Sequence, residues 1–304
     1  MIHVFVINSI SSDVDFGKKL RSHLESRNDI KYFVFNTTHQ NMEAEIVKKM
    51  IRLFEGERIR FYSCGGSGTF RNIMEGAVAY NQAEFAFLPL GKTNDFVKTF
   101  GDDFKLFKDV DNLIDGHVEQ IDYIKTNYGC AINSVSFGID TTLSETLDKV
   151  QVYDIFGAKV PFFMAYAKAL FGAKPRHVIY KADDSSVDAK ITELIVGNGE
   201  YLGGGMHFTD KADILDGKLD YLLALNLYGV GILKVISYMV KDNIEEVRNN
   251  SVNGKCSKFQ IKSVDGSELA LNLDGEVVLG GSEWQIEVVN KGLDFVVPKG
   301  VVLK

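Results

Sequence analysis

Residues 59–96 read IRFYSCGGSGTFRNIMEGAVAYNQAEFAFLPLGKTNDF, and their pattern decides the architecture. The apolar run 59–64 predicts a strand, Gly65, Gly66, Ser67, Gly68 and Thr69 a glycine-rich turn, and 70–80 a helix. A second strand follows at 84–88 and a second turn at 89–95, with Gly91, Lys92, Thr93, Asn94 and Asp95. Both turns follow the carboxyl ends of strands, so in an open α/β sheet they share one rim, where such sheets bind ligands. Glycines let backbone N–H groups converge and a helix N-terminus adds partial positive charge, so phosphate is the natural guest. An isolated glycine cluster is more often just a tight turn; the second turn at the expected distance shifts the reading toward phosphate.

Working outward toward the N-terminus, 3–7 and 31–35 predict strands. Phe16, Leu20 and Leu24, then Ile46, Met50, Leu53 and Phe54, recur at helical spacing. Strands alternating with helices predict a mostly parallel sheet covered on both faces, an α/β nucleotide-binding domain over 1–116. Residues 101–116 are acidic and predict a solvated, loop-like connection; they lack the ordered ligand alternation and terminal glutamate of a calcium loop. From 117 to 289 the pattern changes to short strands at 118–124, 129–137, 177–181, 187–196, 219–225, 257–261, 269–273 and 284–289. This predicts an all-β, sandwich-like second domain. Two helical interruptions stand at 153–171 and 230–247; the first carries Phe162, Phe163, Tyr166, Leu170 and Phe171 among Lys159, Lys168, Lys174 and Arg176. Such a segment suits a lipid surface or a helix packed on the sandwich.

The 304 residues, 45% hydrophobic and 25% charged, suit two domains, each with its own core. No apolar run approaches a membrane span, and MIHVFVINSI reads as a core strand rather than a signal peptide, which predicts a cytoplasmic protein. Cys64, Cys130 and Cys256 are odd in number and widely separated, so neither a disulfide framework nor a zinc site is indicated. The net charge of −7 and the lack of a reading motif argue against nucleic acid. No Ser-His-Asp or Cys-His arrangement is evident.

The two turns resemble the nucleotide-binding motifs of the diacylglycerol kinase catalytic-domain family, bacterial lipid kinases related to sphingosine kinases, which read GGDGT and PxGTxNDF. Here they read GGSGT and PLGKTNDF. Further segments match in order: Asn8 ending strand 1; Thr38, six residues before Ala44; Asn133, Gly138 and Asp140 in NSVSFGID; Asn198 and Gly203 to Met206 in NGEYLGGGM; and Asp213, Asp216 and Lys218 in ADILDGKLD. LNLDGE then carries Asp274 and Glu276, and a last strand from Gly292 resembles the family segment that rejoins the first domain, giving it 290–304. The resemblance implies ATP held by Asn8, Thr38 and the two turns, with Mg²⁺ bridging its phosphates. A structural Mg²⁺ is implied at Asp213, Asp216 and Lys218, and Asp274 is implied as general base beside Glu276. It also implies a lipid acceptor met at the inner face of a membrane. A homodimer stays open. By spacing alone Asp274-Gly275 reads as a hairpin turn, 213–218 as an Asp-Gly turn, and Thr38 as a helix cap.

The departures from the family pattern fall in the phosphate site. Ser67 stands for an aspartate, Arg71 for an asparagine, Asn72 for a glutamate and Lys92 for a threonine, each one unit more positive. The expectation is an active lipid kinase in which Lys92 and Arg71 partly replace metal. The alternatives are a pseudokinase that binds a nucleotide or another anion without turnover, and, less favoured, an NAD kinase.

Overall fold

The computed structural model describes residues 1–9, 15–39, 42–91, 94–138, 175–203, 205–227, 231, 234, 235, 237, 238, 241 and 243–303. Lys92, Thr93, Asp140, Gly204, the whole aromatic segment 153–171 with its lysines, and parts of 230–247 lie outside the described residues. The chain divides into two compact units, Met1–Ile121 with Lys291–Lys304, and Asp122–Asn290.

The first unit runs β1 (Ile2–Asn8), α1 (Phe16–Leu24), β2 (Lys31–Thr37), α2 (Met42–Leu53), β3 (Ile59–Gly65), α3 (Ser67–Ala77), β4 (Ala83–Pro89) and α4 (Asp95–Lys98). A 3₁₀ helix (Gly101–Lys108) and α5 (Val110–Ile114) follow. Its strands pair in parallel in the order β4-β3-β1-β2. β1 therefore lies between β2 and β3, and the strand order reverses at the β1/β3 boundary, the place where such sheets open a crevice for ligands. β3 and β4 are buried at all seven positions, as expected of central parallel strands. They nonetheless carry Arg60 and Glu84. Arg60 Nε donates to Glu84 Oε2 at 2.8 Å, and its Nη1 donates to the carbonyls of Leu113 and Ile114, both at 2.9 Å, so the buried charges are paired and hydrogen-bonded.

Two expectations for this unit need correction. α3 begins at Ser67, so most of the predicted glycine turn is the first turn of the helix. Residues 101–116 are two short helices rather than a loop-like connection. Their acidic surface hides apolar anchors: Phe107 is fully buried, its ring 4.7 Å from that of Phe100 and 6.1 Å from that of Phe295.

The second unit is antiparallel. β5 (His117–Thr126) leads into it, and β6 (Gly129–Ala131), β7 (Ser134–Phe137), β8 (Arg176–Ala182), β9 (Ser185–Gly197), β10 (Tyr201–Leu202), β11 (Met206–His207) and β12 (Leu219–Leu225) follow. α6 (Ile244–Asn249) then precedes β13 (Val252–Cys256), β14 (Lys258–Ser263), β15 (Ala270–Leu273), β16 (Glu276–Leu279) and β17 (Glu283–Val297). The order β16-β15-β7-β9-β8-β14 builds the main path, with β12 and β13 branching from β9. Inward residues such as Val178, Ile191, Leu194, Val196, Phe259 and Trp284 form one core. The strand expected over 129–137 is interrupted at Ile132 and Asn133, whose N–H groups bond to a side chain instead of a ladder partner. β17 is one strand where separate strands at 284–289 and from Gly292 were expected; within it Lys291 takes a positive φ of 50°.

His3, on β1, is buried, and its Nδ1 lies 2.7 Å from the Tyr62 hydroxyl. Burial, with Arg60 nearby, lowers its pKa from 6.5 to about 4. The unfolded chain therefore takes up this proton at a higher pH than the native one, so the native state loses stability as pH falls from 6.5 toward 4. The expected loss is up to roughly 3 kcal/mol. Urea unfolding at pH 7 and pH 4.5 checks this: His3→Gln removes most of this share of the acid sensitivity, and an unchanged pH dependence would contradict the assignment.

Candidate functional site

Gly65 ends β3, Gly66 caps α3, and the first helical hydrogen bond runs from Phe70 N–H to the Gly66 carbonyl at 3.1 Å. The helix supplies no acceptor for the N–H groups of Ser67, Gly68 and Thr69, which point outward from the positive end of its dipole. Such an end seats an anion. The second turn is clamped against it: Leu90 and Gly91 N–H both donate to the Gly65 carbonyl, at 3.0 and 3.1 Å. A Cβ on residue 91 would fall 2.5 Å from Gly66 Cα, so glycine is required there by the close approach of two backbones. Asn94 takes a left-handed φ of 48°, and its Nδ2 donates to the Gly91 carbonyl at 2.5 Å, closing the turn. Asn8, at the end of β1, donates from Nδ2 to Thr69 Oγ1 at 3.0 Å.

Asn8, Gly65 to Thr69, Gly91, Asn94 and Asp95 thus gather at the carboxyl ends of β1, β3 and β4. Lys92 and Thr93 lie outside the described residues. Thr38 is exposed, its hydroxyl 3.5 Å from His39 Nδ1, whereas the buried neighbour is Thr37, which donates to Glu43 Oε1 at 2.9 Å. Of the charge-altering positions, Arg71 and Asn72 are both buried on α3. Arg71 reaches Glu75 at 3.5 Å and Asn72 Oδ1 at 3.4 Å.

In the second unit Asp274 and Gly275 form the two-residue turn between β15 and β16, both with positive φ, as the hairpin reading requires. The Asp274 carboxylate is nevertheless buried and accepts three backbone N–H groups, from Ile132 at 2.6 Å, Asn133 at 3.0 Å and Ser134 at 2.9 Å. These donors fix its orientation and match the ionised form. Glu276 starts β16 opposite Leu273 and is half-buried. Asn133 and Asn198 extend the same knot: Asn133 Nδ2 donates to the Tyr201 carbonyl at 2.9 Å, and Asn198 Nδ2 to the carbonyls of Asp122 and Ile132 at 3.0 and 2.8 Å.

In the 213–218 turn, where the resemblance implies a magnesium seat, the carboxylates are already engaged. Asp213 Oδ1 accepts from Leu215 N–H, and Asp216 Oδ1 from Lys218 N–H, both at 2.9 Å. Asp216 Oδ2 pairs with Lys255 Nζ at 2.5 Å, and Lys218 Nζ donates to Ser257 Oγ at 2.7 Å. The carboxylates thus brace the turn and neutralise an ammonium. Among the described residues no three His, Cys, Asp or Glu side chains gather to hold a metal ion. This arrangement does not fit a cation held by these side chains.

Sequence patterns gave no hint of an apolar pocket lined by Ile195, Phe208, Leu222, Ala224 and Val247, with the buried Glu193 in its wall. Its lining comes from β9, β12, α6 and the residues between strands, too scattered to leave a spaced signature.

Comparison with known proteins agrees with this geometry. A family model described as the diacylglycerol kinase catalytic domain matches residues 3–126, and one described as the YegS C-terminal NAD kinase beta sandwich-like domain matches 133–297. A Shewanella frigidimarina protein named "Probable lipid kinase YegS-like" is 28% identical over 77% of this chain and 75% of its own. A Staphylococcus haemolyticus protein, whose name marks it as a candidate lipid kinase, is 26% identical over 83% of this chain and 82% of its own. A crystal structure from Bacillus anthracis, titled as a candidate diacylglycerol kinase, superposes with a TM-score of 0.76 at 20% identity, covering 99% of this chain and 96% of that one. With both of its segments matched by these family models, the chain belongs to the diacylglycerol kinase catalytic-domain family of YegS-like lipid kinases.

Proposed function

We propose that this protein is an ATP-dependent lipid kinase that transfers the γ-phosphate of ATP to a hydroxyl of diacylglycerol or a related lipid. The observation that carries this reading is the clamped pair of turns, which leaves the amides of Ser67, Gly68 and Thr69 at the head of α3 as an anion seat. Phosphoryl transfer asks a protein for positioning and charge stabilisation more than for covalent chemistry, and a backbone seat supplies positioning. ATP use follows from the family; Asn8, Asn94 and the two turns would hold its phosphates.

Asp274 is assigned the acceptor's proton. A carboxylate already bonded to three N–H groups is a weak base, so its part is to orient the hydroxyl and receive the proton late, as a loose transition state permits. In this reading the lipid is met at the surface of a bilayer, at its cytoplasmic face. No nucleic-acid partner is proposed, and a homodimer is compatible with this reading.

The second reading, a pseudokinase that binds without turnover, is favoured by one feature, Ser67 in place of the motif aspartate. Transfer from γ-labelled ATP to a lipid panel and to NAD separates the readings. Labelled diacylglycerol from the wild type is expected. Silence from the wild type together with robust transfer by Ser67→Asp would establish the pseudokinase instead, and label on NAD would establish an NAD kinase.

Asp274→Asn places an NH₂ group against backbone donors, so a stability loss of about 1–3 kcal/mol is expected alongside the kinetic one. At a temperature where the variant stays folded by circular dichroism, transfer should fall by roughly 10²-fold or more with nucleotide affinity retained. A variant that keeps near-normal turnover would remove Asp274 from the mechanism.

A further inference from the structure

The two peptides that hold one oxygen of Asp274 are themselves held from behind by a single residue. Asn133 N–H and Ser134 N–H both donate to Asp274 Oδ1, at 3.0 and 2.9 Å. In a trans peptide the carbonyl points away from the N–H, so the far sides of these two peptides carry the carbonyls of Ile132 and Asn133. Asn198 serves both. Its side-chain Nδ2 donates to the Ile132 carbonyl at 2.8 Å, and its backbone N–H donates to the Asn133 carbonyl, also at 2.8 Å. Each peptide is therefore clamped between an Asn198 donor and the Asp274 carboxylate. The third donor to Asp274, the Ile132 N–H at 2.6 Å from Oδ2, belongs to the peptide of Ala131 and stands outside this arrangement.

Asn198 follows the end of β9 and is fully buried. Its Nδ2 also donates to the Asp122 carbonyl at 3.0 Å, so two carbonyl partners fix which way the amide faces. A hydrogen bond received at a carbonyl polarises its peptide and strengthens the N–H on the other side. Asn198 thus sharpens two donors and holds them still, and both effects favour an ionised, oriented carboxylate at 274.

Resting on the kinase reading above, we infer that Asn198 is a positioning residue for the reaction: acting through the peptides 132–133 and 133–134, it sets the direction of the Asp274 carboxylate and the strength of the hydrogen bonds that carboxylate accepts. It does so from behind, with no hydrogen bond of its own to Asp274.

Asn198→Ala keeps the backbone N–H of residue 198 and removes only the side-chain donor, so the loss is confined to the peptide 132–133. In amide NMR spectra of the full chain, the Asn133 N–H should move upfield from its wild-type position, the Ser134 N–H less, and the Ile132 N–H least. At a temperature where the variant stays folded by circular dichroism, kcat for lipid phosphorylation should fall by about tenfold or more, with KM for ATP and for lipid within about twofold of the wild type. A merely structural asparagine predicts lower thermal stability with equal shifts at the three amides and an unchanged kcat, and either of the last two results overturns the inference. Where Asn198→Ala does not fold, Asp274→Asn is read in the opposite direction. Removing the charge should shift the side-chain NH₂ resonances of Asn198, and resonances that stay at their wild-type positions overturn the inference. Absence of transfer to every lipid by the wild type overturns the kinase reading instead, while the amide resonances, which need neither ATP nor lipid, still decide whether Asn198 positions Asp274.

Discussion

A single carbonyl sets the geometry of the candidate site. Gly65 C=O, the last acceptor of β3, takes the N–H groups of both Leu90 and Gly91, and so ties the turn after β4 to the turn after β3. The two backbones approach so closely that a Cβ on residue 91 would collide with Gly66 Cα, which is why residue 91 is glycine. With that contact made, the head of α3 is held open toward the sheet rim, and Asn8 from the neighbouring strand fixes Thr69 on the other side. Everything proposed for the first unit depends on this arrangement, because an anion seat made of amides works only if the amides are held still.

Asp274 plays a comparable organising part in the second unit. Its backbone makes the β15–β16 hairpin, while its carboxylate takes the amides that β6 and β7 leave unpaired where the strand between them breaks. The residue therefore serves the turn with its backbone and the broken strand with its side chain. A buried acid bonded to three amides is expensive to displace, so a reacting hydroxyl would meet an acceptor whose position is set before it arrives.

How much of this was legible in the sequence depends on range. The alternation of β1 to β4 with α1 to α3 follows from local periodicity, and the two glycine turns could be placed on one rim because strand direction determines which end a turn occupies. Elements decided by distant partners were not legible. The helices of 101–114 depend on Phe107 reaching Phe295, nearly 200 residues away in sequence, and their acidic exterior masks it. The break at Ile132 depends on a carboxylate 142 positions later. Thr38 was named from the family resemblance alone; the burial of its neighbour Thr37 against Glu43 is a tertiary contact that no local pattern discloses. The pairing of Asp216 with Lys255 likewise joins residues 39 apart, which no local pattern discloses.

The separation between backbone and charge explains how a family site could change chemistry without changing shape. Seating an anion on Ser67, Gly68 and Thr69 uses N–H groups that every residue at those positions possesses, so an aspartate or a serine at 67 leaves the seat intact. The substitutions at 67, 71, 72 and 92 therefore act on the electrostatic balance rather than the fold, and all four move it in one direction.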